Sequence, residues 1–177
     1  MLVRRLIPLV ALTLGACDKG SESAGADGDA DTDTDSDTDT DTDTDTDKDE
    51  CKTDICTMYG AAVPEVASDI VNAAAADPEF QPFFKDLVAK GDKAVDAFKT
   101  SLANFISDAY GCSTGLYTGP SMEKAHAGMG ITQGQYDDFI TLIAGVLAKN
   151  GVAADDITYC FAPPLTDPKF SSTIVGQ

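Results

Sequence analysis

An aspartate repeat divides this chain of 177 residues into two parts with very different prospects of folding. Aspartate occupies every odd position from Asp27 to Asp49, and most of the intervening residues are threonine. Such a run has almost no apolar surface to bury, so burial cannot offset the entropy cost of ordering it. Its like charges also repel one another and extend the chain. We therefore predict a disordered tether over residues 17–50 and a folded domain over residues 51–177.

The repeat also raises the question of calcium binding, because Asp-x-Asp-x-Asp opens an EF-hand loop. The glycine at the sixth position and the glutamate at the twelfth are missing in every register, and no predicted helix flanks the run. The pattern therefore favours a solvated spacer. Threonine glycosylation stays open.

The charge of the chain excludes one class of partner. The formal net charge is −18, and 15 of the 30 acidic residues lie in residues 18–50, against two lysines. Residues 51–177 carry the other 15 acidic residues and eight lysines, and these lysines form no basic patch. Nucleic-acid binding requires such a patch. We therefore expect no nucleic-acid partner.

Residues 1–16 are typical of a signal peptide. Arg4 and Arg5 precede a short apolar run that ends near Leu14, and the run is too short to cross a bilayer as a helix. The sequence then reads Leu-Gly-Ala-Cys up to Cys17, which resembles a bacterial lipobox. The resemblance implies cleavage before Cys17 and acylation of that residue. It predicts a lipid anchor in a membrane of the bacterial cell envelope, with the domain facing the periplasm or the exterior. The alternative is an ordinary secretion signal followed by a chance cysteine.

Four cysteines remain after Cys17, namely Cys51, Cys56, Cys112 and Cys160. An even number in an exported protein predicts two disulfides. Three pairings are open, and the sequence does not choose among them. A zinc site is the alternative, but the C-x4-C spacing and the absence of a CxxC motif disfavour it.

Apolar residues in the domain recur at helical spacing, and no run alternates with period two long enough for a sheet. We predict an all-α domain of about five helices. Pro64 suits a first helical turn, and Asp92, Ser121 and Thr132 suit N-caps. The Pro163-Pro164 pair is expected to break or end the last helix. The predicted helices lie in residues 64–80, 81–88, 92–112, 122–129 and 133–150, and a last one begins near residue 153. The first is expected to end at Asp77-Pro78, the third at Gly111 and the fifth at Asn150-Gly151.

His126 is the only histidine of the chain. In a helix, Met122 and Met129 would share its face, because they lie four residues before it and three after it. Small residues surround it, and a neutral imidazole in such a setting suits coordination of a flat cofactor. Composition alone nevertheless favours a histidine without a ligand.

The wider pattern around His126 reverses that preference. Residues 117–152 resemble group 1 truncated haemoglobins, which carry a Tyr-x-Gly-x-x-Met-x-x-Ala-His run, a loop opening on Leu or Ile and Thr, and a helix with a Gly-Val exit. Upstream, Ala76-Asp77-Pro78 and Phe83-Phe84 are similar to the opening segment of that family. The resemblance covers about residues 55–162. The matching positions are Tyr117, Gly119, Met122, Ala125, His126, Ile131, Thr132, Tyr136, Gly151 and Val152.

The resemblance implies a two-over-two helical sandwich that encloses haem b, with His126 as the proximal ligand of the iron. One axial nitrogen leaves the other face open for a diatomic gas. The residues that would line or support the haem are Met122, Tyr117, Phe83, Phe84, Phe98, Leu102, Ile131 and Val71. Each of these apolar residues could equally be an ordinary core residue.

Two of these positions depart from the family. Val71 stands where members commonly carry a tyrosine that donates to bound oxygen, and Phe98 stands where they carry a glutamine. A hydrogen bond of this kind is typically worth about 1 kcal/mol. An apolar distal side would therefore weaken retention of oxygen relative to carbon monoxide. Tyr110 is the alternative donor.

The resemblance predicts a membrane-anchored haem protein that binds oxygen, nitric oxide or carbon monoxide and is not primarily an enzyme. Detoxification of nitric oxide or peroxide, or electron transfer, is the first alternative, and it needs a redox partner that the chain does not contain. A haem-free globin-like binding lipoprotein is the second.

Overall fold

The computed structural model describes residues 50–177, and in them every regular element is a helix. This confirms the predicted all-α class. The signal peptide over residues 1–16, the lipidation of Cys17 and all but the last residue of the tether lie outside the described residues. Within residues 50–177, no helix combines the length and the hydropathy needed to span a bilayer.

Nine α-helices follow one another along the described chain. A 3₁₀ turn at Gly60–Ala62 separates the first two, and a π-helix at Ile157–Phe161 joins α7 to α8. The helices are α1 Ile55–Tyr59, α2 Val63–Ala76, α3 Gln81–Ala89, α4 Asp92–Ala109, α5 Met122–His126, α6 Gln133–Lys149, α7 Ala154–Asp156, α8 Ala162–Thr166 and α9 Pro168–Ser171.

Three of the four predicted helix starts agree with the structure. Pro64 lies in the first turn of α2, where its missing N–H leaves no helical bond unmade. The Ser121 side chain accepts from the Lys124 N–H at the start of α5. Thr132 forms a capping box at the start of α6. Asp92 differs from its prediction, since it is the first residue of α4 and Gly91 is the N-cap.

Two helix ends differ from the predictions. Helix α5 ends at His126 instead of residue 129, because Ala127 is no longer helical and Gly128 has a positive φ of 79°. The last predicted helix is not broken at Pro163 and Pro164, which lie in the first turn of α8. The π-helix before them ends with a bond from the Ala162 N–H to the Ile157 carbonyl, so α8 begins as a new first turn. Prolines are tolerated there, because the N–H groups of a first turn have no helical partner.

Helix α2 packs against both α4 and α6 and forms the centre of the domain. The residues of α2 that face inward, Val66, Ile70 and Val71, are all less than a tenth exposed. Val66 and Ile70 meet α6 and the π-helix in one apolar core. This core consists of Val66, Ile70, Val146, Leu147, Val152, Cys160 and Phe161.

Two disulfides tie the segment before α2 to the rest of the domain. Cys51 bonds to Cys160 in the π-helix, and Cys56 in α1 bonds to Cys112 after α4. The prediction of two disulfides is thereby confirmed, and the pairing that the sequence left open is settled. Asp156 reinforces the same corner, because it accepts hydrogen bonds from Thr53 at 2.5 Å and from the Tyr59 hydroxyl at 2.6 Å.

Candidate functional site

A cavity of about 660 Å³ lies between α2, α3, α4, α5 and α6. Its lining is mainly aliphatic and aromatic. All nine residues that the sequence suggested for a haem site line this one cavity, although they come from six separate segments of the chain. They are Val71, Phe83, Phe84, Phe98, Leu102, Tyr117, Met122, His126 and Ile131.

His126 enters the cavity from the last position of α5. Its Nδ1 lies 2.7 Å from the backbone carbonyl oxygen of Met122, one turn earlier in the helix. A carbonyl oxygen only accepts, so this contact requires the proton on Nδ1. In the neutral imidazole, the Nε2 atom then keeps its lone pair and is the nitrogen able to bind a metal. A backbone carbonyl that fixes the tautomer in this way is a common feature of metal-binding histidines.

The loop between α4 and α5 is organised by Asp108. Its carboxylate accepts from the Ser113 hydroxyl at 2.6 Å and from the Tyr117 N–H at 2.8 Å. These bonds, the one from Ser113 above all, lower the pKa of Asp108 below its ordinary value. The carboxylate thereby fixes the position of Tyr117 in the cavity wall.

The ring of Tyr117 lies directly over the backbone of Gly119. A Cβ at Gly119 would come within 2.5 Å of the Tyr117 ring, so only glycine fits there in this arrangement. The Tyr117 hydroxyl donates to the Pro120 carbonyl at 2.7 Å, and Phe105 meets the ring edge-on at 5.2 Å between centroids. The position of the Tyr117 ring therefore requires glycine two residues later, at Gly119.

Helix α3 faces the cavity with aromatic rings but has no buried residue of its own. Phe83 and Phe84 both line the cavity, and Phe84 meets Phe98 of α4 edge-on at 6.1 Å between centroids. Phe98 remains 38% exposed. These rings therefore surround space instead of filling a core.

None of the four tyrosine hydroxyls around the cavity is free among the described residues. Tyr110 donates to the Phe161 carbonyl at 2.6 Å, and Tyr136 donates to the Leu165 carbonyl. The hydroxyls of Tyr59 and Tyr117 are bound to Asp156 and to Pro120, respectively. Burial raises the pKa values of Tyr110 and Tyr136, so both hydroxyls keep their protons. Tyr110 is therefore not the spare donor that the sequence suggested, and Val71 is a fully apolar neighbour at 2% exposure.

Sequence reasoning missed part of the cavity wall. Phe105 and Phe139 belong to the apolar stripes of α4 and α6, and those stripes were the only signal that could have pointed to them. Phe170 and Ile174 also line the cavity, but they lie after the proline pair, where the sequence carries no helical periodicity.

The donor set around His126 fits haem better than a bare metal ion. Among residues 50–177, no group of three His, Cys, Asp or Glu side chains could hold a metal together. An iron held by His126 needs its other ligands from a non-protein group, and the porphyrin ring provides four nitrogens. The cavity volume lies within the range of about 300–1,000 Å³ usual for ligand sites, and apolar walls suit a flat macrocycle.

Comparisons with known proteins add no family to this picture. No protein-family model matches the chain, and no curated protein matches it significantly.

Proposed function

We propose that residues 51–177 form a globin-like domain that binds haem b through His126 and serves to bind oxygen or a related diatomic gas. The observation that carries this proposal is the position of His126. It is the only histidine of the chain, it lines an apolar cavity, and its Nδ1 is occupied by the Met122 carbonyl at 2.7 Å. The Nε2 atom is therefore available as a single axial ligand.

When bound, haem would supply an iron with one axial position open to a gas. The residues of the chain would hold and shield it. Phe83, Phe84 and Met122 would pack against the ring and exclude water, because they already present apolar surface that the protein itself does not bury. Val71 would keep the cavity apolar from α2.

The polar groups around the cavity bear on which gas is retained. All four tyrosine hydroxyls are occupied by protein acceptors, so none of them would donate to a polar ligand such as oxygen. Ligands that depend little on a hydrogen bond, above all carbon monoxide, would gain relative to oxygen. A missing neutral hydrogen bond is worth about 1 kcal/mol, or about fivefold in affinity.

The cell-envelope location is part of the same proposal. The lipobox-like sequence at Cys17 would anchor the protein in a membrane, and the aspartate-rich tether would hold the domain away from the surface. The two disulfides agree with an oxidising compartment. Turnover of nitric oxide or peroxide would require a reductase that the chain does not contain.

The test compares binding of haem with binding of metal-free protoporphyrin IX. Purified domain should bind haem with a sharp Soret band, and His126→Ala should weaken haem binding by at least tenfold while leaving protoporphyrin binding unchanged. Lys124→Ala, on the exposed side of the same helix, is the matched control and should bind both like the wild type. Equal binding of the two compounds by the wild type would rule out His126 as an iron ligand.

The apolar lining supports one further candidate, a haem-free module that binds an apolar molecule. The observation in its favour is that the hydroxyls around the cavity are satisfied by the protein and make no demand on a ligand. In that case the domain would bind protoporphyrin and haem equally, and His126→Ala would change neither.

A further inference from the structure

The element that carries His126 is weakly held by its own contacts. Helix α5 has five residues and none of them is buried. Beyond it, Gly128 and Gly130 have positive φ values of 79° and 63°, a region that glycine enters without strain. Within residues 50–177, this turn is closed on itself by one backbone hydrogen bond, from the Met129 N–H to the His126 carbonyl at 3.1 Å. The contact of Nδ1 with the Met122 carbonyl therefore orients the imidazole only while this short helix stays formed.

A second segment supplies what the turn lacks. Residues 168–177, which we call the proximal strap, pair with the loop that follows His126. The Gly130 N–H donates to the main-chain oxygen of Gln177 at 2.9 Å, and the Gly176 N–H donates to the Ile131 carbonyl at 2.9 Å. These two hydrogen bonds join the backbones of the two segments. Gly176 also has a positive φ, 76°, which turns the strap toward the loop.

The proximal strap is itself held in place by a helix cap and by apolar packing. Asp167 caps α9 by accepting from the Lys169 N–H at 2.8 Å. Phe170 stacks on Phe105 of α4 with 19° between the ring planes, and Ile174 is only 8% exposed. Both side chains line the cavity that contains His126. The strap thus connects α4 to the loop of the histidine by apolar packing at one end and backbone hydrogen bonds at the other.

We infer that the proximal strap is a positioning element for His126, which holds α5 closed and keeps Nδ1 on the Met122 carbonyl so that Nε2 faces the cavity. This inference rests on the proposed role of His126 as an iron ligand. Its structural consequence can nevertheless be measured without haem. If the strap is released, α5 loses its support, the Nδ1 contact opens, and the imidazole is free to change tautomer.

The test uses the fact that the chain has one histidine, so its imidazole gives a single set of NMR signals. The ¹⁵N shifts of the haem-free domain should report the Nδ1–H tautomer in the wild type. Deletion of residues 176 and 177 should move these shifts toward the Nε2–H tautomer or an average of both. Gln177→Ala is the matched control, because it removes the Gln177 side-chain bond to the Ser172 carbonyl but keeps the main-chain oxygen that binds Gly130.

A second pair of variants separates positioning from general damage. Ile174→Ala should weaken the apolar packing of the proximal strap and shift the His126 tautomer. Ile174→Val should keep most of that packing and the wild-type tautomer. Circular dichroism must show each variant folded. An unchanged tautomer in folded Ile174→Ala and deletion variants would overturn the inference. A wild type with the expected tautomer but no Soret band would instead overturn the proposed function.

Discussion

The two halves of this domain are built from similar residues but use them differently. In the packed half, around α2, α6 and the π-helix, apolar side chains such as Val146 and Phe161 are less than a tenth exposed, although Phe161 also reaches the cavity wall. In the hollow half, α3 and α5 contain no buried residue, although both present apolar side chains to the cavity. Empty apolar volume destabilises a protein. The unfilled space of the hollow half therefore supports the proposal that this surface receives a ligand.

The disulfides reach both halves. Both start from the segment before α2; Cys51–Cys160 ends in the π-helix of the packed half, and Cys56–Cys112 ends at the cavity wall. Beyond α4, the hollow half is held by hydrogen bonds at Asp108 and at the proximal strap. The packed half should therefore determine whether the domain folds, and the hollow half should determine what it binds. Changes to the two halves can be compared to test that division.

The largest expected effect is loss of the Cys51–Cys160 disulfide, which closes a loop with a sequence separation of 109. The chain-entropy relation gives a loss of about 5 kcal/mol for a loop of that size and about 0.6 kcal/mol less for Cys56–Cys112, whose separation is 56. Paired Cys→Ala variants measured by urea unfolding should show this order. If removal of Cys56–Cys112 lowers the free energy of unfolding more than removal of Cys51–Cys160, then packing around the disulfide, not loop length, governs its contribution to stability.

The second prediction compares two phenylalanines. Phe161 is 9% exposed and meets Tyr110 and Tyr59 at 5.3 and 5.8 Å between ring centroids. Phe161→Ala should lower the free energy of unfolding by about 4 kcal/mol. Phe84 is only partly buried at the cavity wall, where its ring meets that of Phe98 edge-on, so Phe84→Ala should cost less than about 1 kcal/mol in the haem-free domain. Equal costs in thermal or urea unfolding would remove the distinction between a packed and a hollow half.

Binding of haem in the cavity should reduce the difference in stability contribution between residues of the hollow half and residues of the packed half. Haem that binds only the folded domain, at a concentration of 100 times its dissociation constant, should raise the free energy of unfolding by about 2.7 kcal/mol. Phe84→Ala should then cost more than it does without haem, because the ring gains a packing partner. The check is urea unfolding with and without haem, and His126→Ala should show a smaller gain. A stability unchanged by haem would show that the hollow half does not receive it.

The fourth prediction concerns the wall residue Tyr117. Gly119→Ala should displace the Tyr117 ring, because the new Cβ would lie within 2.5 Å of it. The cost is about 1–2 kcal/mol, since the hydroxyl bond to Pro120 and the edge contact with Phe105 are both lost. Gly145→Ala is the control: nothing lies within 4 Å of its Cβ, and alanine in the middle of α6 should stabilise by about 0.5–1 kcal/mol. Differential scanning calorimetry would show the opposite signs, and a shift of the same sign would contradict the steric argument.

The sequence predicted the packed half better than the hollow one, for physical reasons. Helical periodicity and caps such as Thr132 are local, so they could be read directly, and an even cysteine count indicated disulfides. The disulfide pairing was not readable, because it depends on which chain segments meet in space. The cavity residues of α2 to α5 were found through the motif around His126, not through periodicity.

Other features of the hollow half had no sequence signal at all. The proximal strap acts through backbone N–H and carbonyl groups, which every residue type except proline offers, so no side-chain pattern reveals it. The hydrogen bond from Tyr110 to the Phe161 carbonyl was not predictable either, because it depends on a π-helix for which the sequence carries no signal. Such contacts between distant segments are the part of a site that a sequence conceals.

The smallest expected effect is a pH dependence that reports on Asp108. Hydrogen bonds from Ser113 and from the Tyr117 N–H depress its folded pKa below the ordinary value of 3.8. A depressed carboxyl pKa contributes stability above the unfolded value, and this contribution is lost as the pH falls through the folded value. The stability difference between wild type and Asp108→Asn should therefore be constant from pH 7 to about 5 and shrink below about pH 4.

Urea unfolding at a series of pH values would measure this difference directly, and subtraction removes the parallel contributions of Asp54 and Asp156, whose pKa values are also lowered. Ser113→Ala removes the hydrogen bond that lowers the Asp108 pKa most. In that variant the stabilisation by Asp108 should be smaller, and it should be lost at a higher pH than in the wild type. A difference that persists unchanged to pH 2 would mean that Asp108 stabilises the loop through its shape and not through its charge. In that case the position of Tyr117, and with it one wall of the hollow half, would not depend on an ionised carboxylate.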